Sequence, residues 1–303
     1  MQGYPRFDAD DLHRSLARLN RMRMTPEADA DRWLAALDTE TSLRLLEHAF
    51  VEREREQVRS WARTAPTQPD AFVTWFEALA ERGPGQGDAL FPWLAAHATL
   101  EPMCWFLKQE QAGEAGFDDL VALTQLKLPT RAKLELARNY WDEMGQGAQS
   151  GMHGPMLEQL GVALELDARR EATVWESLAL ANMMVALAAN RHYAYQSVGA
   201  LGVIELTAPG RAAQVNAGLK RLGLPGDARR YYALHATLDI KHSRAWNREV
   251  LQPLVAAEPR AASLIAEGAL LRLRAGARCF ERYRAVLWGG VPAEPTQLDT
   301  WPS

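Results

Sequence analysis

The stretch Tyr231-Tyr232-Ala233-Leu234-His235-Ala236-Thr237-Leu238-Asp239-Ile240-Lys241-His242 carries three potential metal ligands, spaced four and three residues apart. On an α-helix, at about 100° per residue, Asp239 sits about 40° round from His235, and His242 lies within about 20° of His235. All three then share one face. Imidazole and carboxylate together suit iron, manganese or zinc better than calcium or magnesium. The competing reading is a helix with a polar stripe, and what separates the two is whether the chain holds further ligands.

Outward from this stretch, apolar residues recur at three and four along nearly every segment, strand-like alternation is scarce, and Ala, Leu, Arg and Glu dominate. This predicts an all-α fold. Thr25-Pro26 and Gln68-Pro69-Asp70 place Pro where helices begin, so the first 80 residues read as three or four short helices. Gly83-Pro84-Gly85-Gln86-Gly87 breaks the pattern. The division drawn from it is an N-terminal helical extension over 1–86, a helical domain over 87–288 and an irregular, Pro-rich tail over 289–303. A segment over 170–206 is apolar on more than one face (Leu178, Leu180, Met183, Met184, Val185, Leu187), as expected at the centre of a bundle. A straight helix of that length would span about 55 Å, so a bend is expected near Asn190-Arg191. Pro209 is expected to start another helix, residues 228–254 to form the helix with the three ligands, and 259–287 the last one.

Composition limits the functions available. With 303 residues and 48% hydrophobic content the chain can bury a substantial core. A formal charge of -4, with basic and acidic residues dispersed, offers no basic stripe for nucleic-acid phosphates. No apolar run approaches the roughly 20 residues that span a bilayer, and the first residues lack a basic start followed by an apolar core, so the expectation is a cytoplasmic protein without a membrane partner. Cys104 and Cys279 form neither a disulfide framework nor a CxxC pair.

Further ligands can be sought on other helices, since a bundle builds metal sites from side chains facing inward. Glu143 and His153 flank a stretch containing Gly145, Gly147 and Gly151. Unbroken helix would part them by about 15 Å, whereas a chain bent at these glycines brings both inward. The alternative is a surface cap beside an exposed Glu. Glu205 lies among apolar residues, where a carboxylate must be paired, protonated or bound to a cation; its alternative is a helix-end Glu reaching solvent. Gly199 and Gly202 nearby leave room either for a ligand or for a close helix crossing.

Taken together, Glu143 in Asp-Glu-x-Gly-x-Gly, His153, Glu205 upstream of a Pro, and His235-x3-Asp239-x2-His242 resemble the haem-oxygenase-like diiron oxidases and oxygenases, also described as iron-containing redox enzymes. The resemblance runs over about residues 94–288 and includes Leu251-Gln252-Pro253-Leu254 and the Gly268, Ala269, Arg272 pattern of the final helix. It implies a haem-oxygenase-like helical bundle without haem, two iron ions, and dioxygen as co-substrate. Activities in that family include N-oxygenation of amines, cleavage of amino-acid side chains and oxidative decarboxylation of fatty acids. By position, one iron would take Glu143, His153 and His242, and the other Glu205, His235 and Asp239. The expected function is oxidation of a small molecule in specialised metabolism, with assembly as a homodimer or with a partner biosynthetic enzyme left open. The alternatives are an all-α scaffold with the same fold and no working metal site, a fatty-acid decarboxylase, and a hydrolase using Cys104.

Other residues have weaker claims. Glu110 and Glu114, one turn apart, are candidates for a second shell around the metals or for a solvated face. Tyr193, Tyr195, Tyr231, Tyr232 and Trp141 are candidates for pocket walls or core. Arg229, Arg230 and Lys241 are candidate anchors for a substrate carboxylate, with a solvated surface position the expectation for at least two of them. His13, His48, His97 and His192 have no partnered spacing and read as structural or exposed.

Overall fold

A computed structural model describes residues 8–26, 33–113, 116–166 and 172–289. The chain runs through α1 (Ala9–Met24), α2 (Trp33–Ala62), α3 (Pro69–Glu77), α4 (Leu79–Arg82), α5 (Leu90–Ala96), α6 (Leu100–Gly113) and α7 (Phe117–Thr124). It continues through α8 (Thr130–Glu143), α9 (His153–Ala163), α10 (Trp175–Ala189), α11 (Ala194–Arg221), α12 (Arg230–Trp246), α13 (Gln252–Ala257) and α14 (Ala261–Leu287). Among the described residues there is no strand, only one isolated antiparallel bridge between Met144 and Met152. No described helix is long and apolar enough to cross a membrane. The expected irregular tail lies outside the described residues from 290 onward, as does Glu114.

Local signals set the starts of two N-terminal helices. The Asp8 side chain accepts from Asp10 N at 3.1 Å to cap α1. Gln68 Oε1 accepts from Ala71 N at 2.6 Å, and Pro69 occupies the first turn of α3. The apolar 170–206 segment breaks where expected. Asn190 turns extended at φ -105°, ψ 112°, and its amide donates back to the Ala186 carbonyl at 2.8 Å and across to Glu47 Oε1 at 2.7 Å. α10, buried almost all round, is the central helix.

Three expectations need correction. α2 is a single 30-residue helix, so the N-terminal region is not made only of short ones. Pro209 does not begin a helix either. It sits inside α11, where it has no N–H to give to the carbonyl of Glu205 four residues back. The helix continues because both of its flanking stretches are packed: Val198, Leu201 and Val203 before the proline and Ala212, Val215 and Leu219 after it are buried. Pro253 likewise follows a π-helical turn at Asn247–Leu251, which divides the expected 228–254 helix into α12 and α13.

The hydrophobic core is continuous. Leu16, Leu19, Phe50 and Val51 from α1 and α2 belong to the same cluster as Leu187 of α10 and Leu270 of α14. α11 crosses α14 at two glycines. A Cβ on Gly199 would overlap the Ile265 carbonyl oxygen, and one on Gly268 the Gln196 carbonyl oxygen. Of the two readings open for Gly199, the close crossing holds. A buried ion pair, Arg55 Nε to Glu267 Oε2 at 2.8 Å, ties α2 to α14 beside this crossing, and Gln196 Nε2 donates to the same carboxylate oxygen at 2.9 Å.

His13 shows how tightly α1 is held. Its ring is 1% exposed, edge-on to Phe50 at 4.7 Å and stacked on Trp175 at 5.6 Å. Burial, with help from the charge of Arg278, pushes its pKa down to about 3. The unfolded chain therefore takes up a proton near pH 6.5 that the folded chain refuses, and stability falls as pH drops from about 6.5 toward 3, by up to about 1.4 kcal/mol per pH unit. A His13→Gln variant is expected to lose less stability than the wild type between pH 7 and 4.5 in urea melts. Identical pH slopes would contradict this.

Candidate metal centre

Four helices bring the six expected ligands together. Glu143 is the last residue of α8 and His153 the first of α9. Between them the chain turns back through Gly145 (φ 61°), Gln146 (φ 53°) and Gly147 (φ 87°), and the Met144–Met152 bridge closes the turn. Gly145 has two reasons to be glycine. Its φ is left-handed, and a Cβ there would overlap the backbone of Gly151. The glycine-rich stretch thus folds His153 onto Glu143, with His153 Nδ1 2.7 Å from Glu143 Oε2. A Gly145→Ala variant is expected to bind a divalent transition-metal ion at least about tenfold more weakly, read by chelator competition, while α-helical circular dichroism is kept; unchanged affinity would show that the turn does not set the pair.

α12 supplies His235, Asp239 and His242 from one face, and α11 supplies Glu205 from its middle. Single ligand atoms of Glu143, His153 and His235 lie within 4.8 Å of one another, and so do those of Glu205, Asp239 and His242. The geometry therefore pairs the two α12 histidines with the carboxylates the other way round from the positional expectation. The His153 and His235 rings meet edge-on at 4.7 Å. On the other side, His242 Nδ1 lies 3.4 Å from Glu205 Oε2. The two histidines are seven residues apart, about 10 Å along the helix, and the α8–α9 turn meets the His235 end.

The donor atoms fit cations. Glu143, Glu205 and Asp239 are buried together, and Asp142 and Asp118 add to the negative field around Glu143. Burial, then the charge of Glu205, pushes the Glu143 carboxyl well above its usual range. Nδ1 of His153 and Nδ1 of His242 are buried without a hydrogen-bond partner. The 2.7 Å approach of His153 to Glu143 lacks hydrogen-bond alignment, as expected of donors aimed at a common point instead of at each other. Neutral imidazole is the ligand form. Burial lowers His153 and His235 to about 4, so both are neutral near pH 7. Burial also opposes charge on His242, but the Glu205 and Asp142 carboxylates outweigh it and hold the ring at about 9, so without a metal the imidazolium supplies the positive charge this corner needs.

Neighbouring groups orient the ligands. His235 Nδ1 lies 2.7 Å from the Tyr231 carbonyl oxygen, which places the proton on Nδ1 and leaves the Nε2 lone pair for a metal. His242 Nε2 donates to Asp142 Oδ2 at 3.1 Å, which leaves Nδ1 as its donor atom. Asn139, one turn before Glu143 and buried, donates to Glu205 Oε1 at 2.6 Å.

A cavity of about 150 Å³ opens from the cluster. Glu143, His153, Glu205, His235 and Asp239 face one part of it. Elsewhere its wall is formed by Leu157, Leu180, Ile204, Phe91, Phe106 and Phe280, with the charged side chains of Glu110, Arg211 and Arg272.

Residues 104–277, more than half of the chain, match the protein family described as iron-containing redox enzyme. The chain belongs to that family. All six candidate ligands of this iron-containing redox enzyme fall inside the matched span. Its fold is shared by a CADD-like protein of unknown function from Nostoc punctiforme PCC 73102, in two crystal structures at 2.00 and 1.35 Å. These give TM-scores of 0.54 and 0.53 at 18% and 17% identity, covering 71% and 73% of this chain and 96% of that chain in each case. The bundle is thus all-α and haem-oxygenase-like. No curated protein matches the chain.

Several expectations about this redox enzyme's outer residues change. Tyr231 and Tyr232 line the cavity, whereas Trp141 is 54% exposed and lies over Gly147. Tyr193 hydrogen-bonds with Glu52 and His48, away from the ligands. Glu110 faces the cavity, but its charge interactions are with Arg272 and Arg211 and it hydrogen-bonds with Tyr283. Arg229 holds the Leu224 carbonyl and Asn216, tying the start of α12 to α11, and Arg230 holds the Ser150 carbonyl, tying α12 to the α8–α9 turn. Lys241 is exposed. Sequence reasoning missed Asn139, whose signal is its i, i+4 spacing to Glu143, and Asp142, the neighbour of Glu143. It also missed Arg211, which has no local signal.

Proposed function

We propose that this iron-containing redox enzyme is a non-haem diiron oxygenase or oxidase that uses dioxygen to oxidise a small organic substrate. Glu143, His153 and His235 hold one iron, and Glu205, Asp239 and His242 the other. The observation that carries this reading is the pair of three-residue donor groups, three carboxylates and three imidazoles, all buried except the half-buried His235, with five of the six lining one end of a cavity. Two ferrous ions bound there would supply the electrons for dioxygen reduction and open coordination positions.

The chain's own residues do the rest. The Tyr231 carbonyl fixes the tautomer of His235, Asp142 fixes His242, and Asn139 holds Glu205, so the donor atoms are oriented before a metal arrives. The apolar wall formed by Leu157, Leu180 and Ile204 limits water around the reacting groups. Three carboxylates buried together repel one another, a cost that a bound cation offsets and that a scaffold would have no reason to bear. Cys104 does not line the cavity, and burial raises its thiol pKa, the opposite of an activated nucleophile.

Anaerobic loading with ferrous iron is the test. About two irons per chain are expected, with oxygen uptake on exposure to air. Less than one tightly held iron and no oxygen uptake would favour the scaffold.

A further inference from the structure

The cavity is electrically two-ended. Carboxylates dominate at the ligand cluster, where Asp118 adds its charge beside Glu143 and His153, whereas the charged groups of the wall away from it, Arg211 of α11, Arg272 of α14 and Glu110 of α6, sum to one positive charge when all are ionised. Along α11, Glu205, Ala208, Ala212 and Val215 face the cavity in one stripe with Arg211 beside it. Six residues separate Glu205 from Arg211, a rise of about 9 Å. That rise separates the two backbones; the Arg211 guanidinium reaches back one turn to the Thr207 hydroxyl, and the charges that act on it are those of Arg272 and Glu110, not the ligand carboxylates.

Neither guanidinium is neutralised by an ordinary ion pair. Arg211 donates to the Thr207 hydroxyl at 3.0 Å and packs over the Phe91 and Phe280 rings at 5.8 and 5.6 Å. Among the described residues no carboxylate lies within 4.0 Å of Arg211 or Arg272. Burial and the neighbouring charge of Arg272 lower Arg211 to about 10, which leaves it charged near neutral pH. Glu110, between them electrically, is raised by burial despite both arginines. A buried cationic surplus without a counter-ion is costly, and a guanidinium is shaped to grip a carboxylate.

We propose that the cavity binds a substrate monocarboxylate with an apolar body, its carboxylate on Arg211 and Arg272 and its opposite end at the Glu143–His153–His235 and Glu205–Asp239–His242 groups. This rests on the diiron reading for what happens at the far end, but not for binding. It places oxidation at the end remote from the carboxylate, which disfavours decarboxylation as the reaction. A single surplus charge suits a monoanion better than a phosphate dianion. The aromatic rings of Phe91, Phe106 and Phe280 surround the stem next to the head group.

Octanoate, whose chain is comparable to the about 9 Å between Glu205 and Arg211, is the probe. Octan-1-ol and octyl phosphate serve as comparators, and binding to the full-length protein is followed calorimetrically with and without ferrous iron. The expected result is octanoate binding at least tenfold tighter than either comparator in both forms. Arg211→Gln and Arg272→Gln should each weaken octanoate at least tenfold and leave octan-1-ol unchanged. Glu110→Gln should tighten octanoate severalfold, a gain that misfolding cannot mimic. Equal affinity for octanoate and octan-1-ol, tighter octyl phosphate, or octanoate affinity unmoved by all three substitutions would overturn the proposal. Because binding is read without metal as well as with it, a protein that holds octanoate but no iron would sink the diiron reading alone, and one that holds iron but not octanoate would sink this inference alone.

Discussion

A His242→Ala chain is expected to keep one iron of the two and to lose oxygen-dependent turnover by at least about 100-fold, beyond what loss of a group behind the ligands costs. The stronger result comes from double substitutions, because they read which donors act together. Glu205, Asp239 and His242 form one group and Glu143, His153 and His235 the other. His242→Ala combined with Glu205→Ala therefore empties one position and leaves about one iron. His242→Ala combined with Glu143→Ala breaks both positions and leaves none. If the donors were divided as their order in the chain suggests, with His242 beside Glu143 and His153, the two double variants would exchange these outcomes. Iron content by chelator assay after anaerobic loading distinguishes the cases, and the helical circular dichroism of each variant confirms that the bundle has formed.

A Gly268→Ala chain is expected to be less stable than the wild type by about 3 kcal/mol or more. In an exposed helix interior the same change is favourable by up to about 1 kcal/mol, so the sign depends on what the methyl meets. Here it meets the backbone carbonyl of Gln196, which cannot rotate away, and α11 and α14 must move apart. That movement would strain the Arg55–Glu267–Gln196 contacts beside the crossing and the position of Glu205 further along α11. Gly210, exposed on the same α11 with open space around it, is the matched control. Gly210→Ala is expected to be neutral or slightly stabilising in urea unfolding. Equal losses at both positions would show that the crossing is not what Gly268 serves.

Helix periodicity and the apolar girth of α10 were enough to indicate an all-helical bundle and the break at Asn190, because both are local properties of the chain. The one-face spacing of His235, Asp239 and His242 was legible for the same reason, since three and four residues fix an angle on any helix. The continuation of α11 through Pro209 was not, because packing on either side overrides a local breaker. The arginines of the cavity were not legible either: Arg229 and Arg230, the candidates near the ligands in sequence, are occupied with carbonyls and Asn216. Arg211 and Arg272 come from helices that only the fold brings to one cavity.

By itself, then, the sequence determined the all-helical class, the six candidate donors and the glycines that let the chain turn between Glu143 and His153. Tertiary structure alone decided which histidine stands with which carboxylate, and which charges face the cavity. The difference is one of range. Ligand spacing within α12 is set by helix geometry over a few residues, whereas the partner of His235 or His242 is set by how α8, α9 and α11 lie against α12. That arrangement depends on contacts such as Gly268 against Gln196, between residues 72 positions apart (268 − 196), which no local pattern encodes.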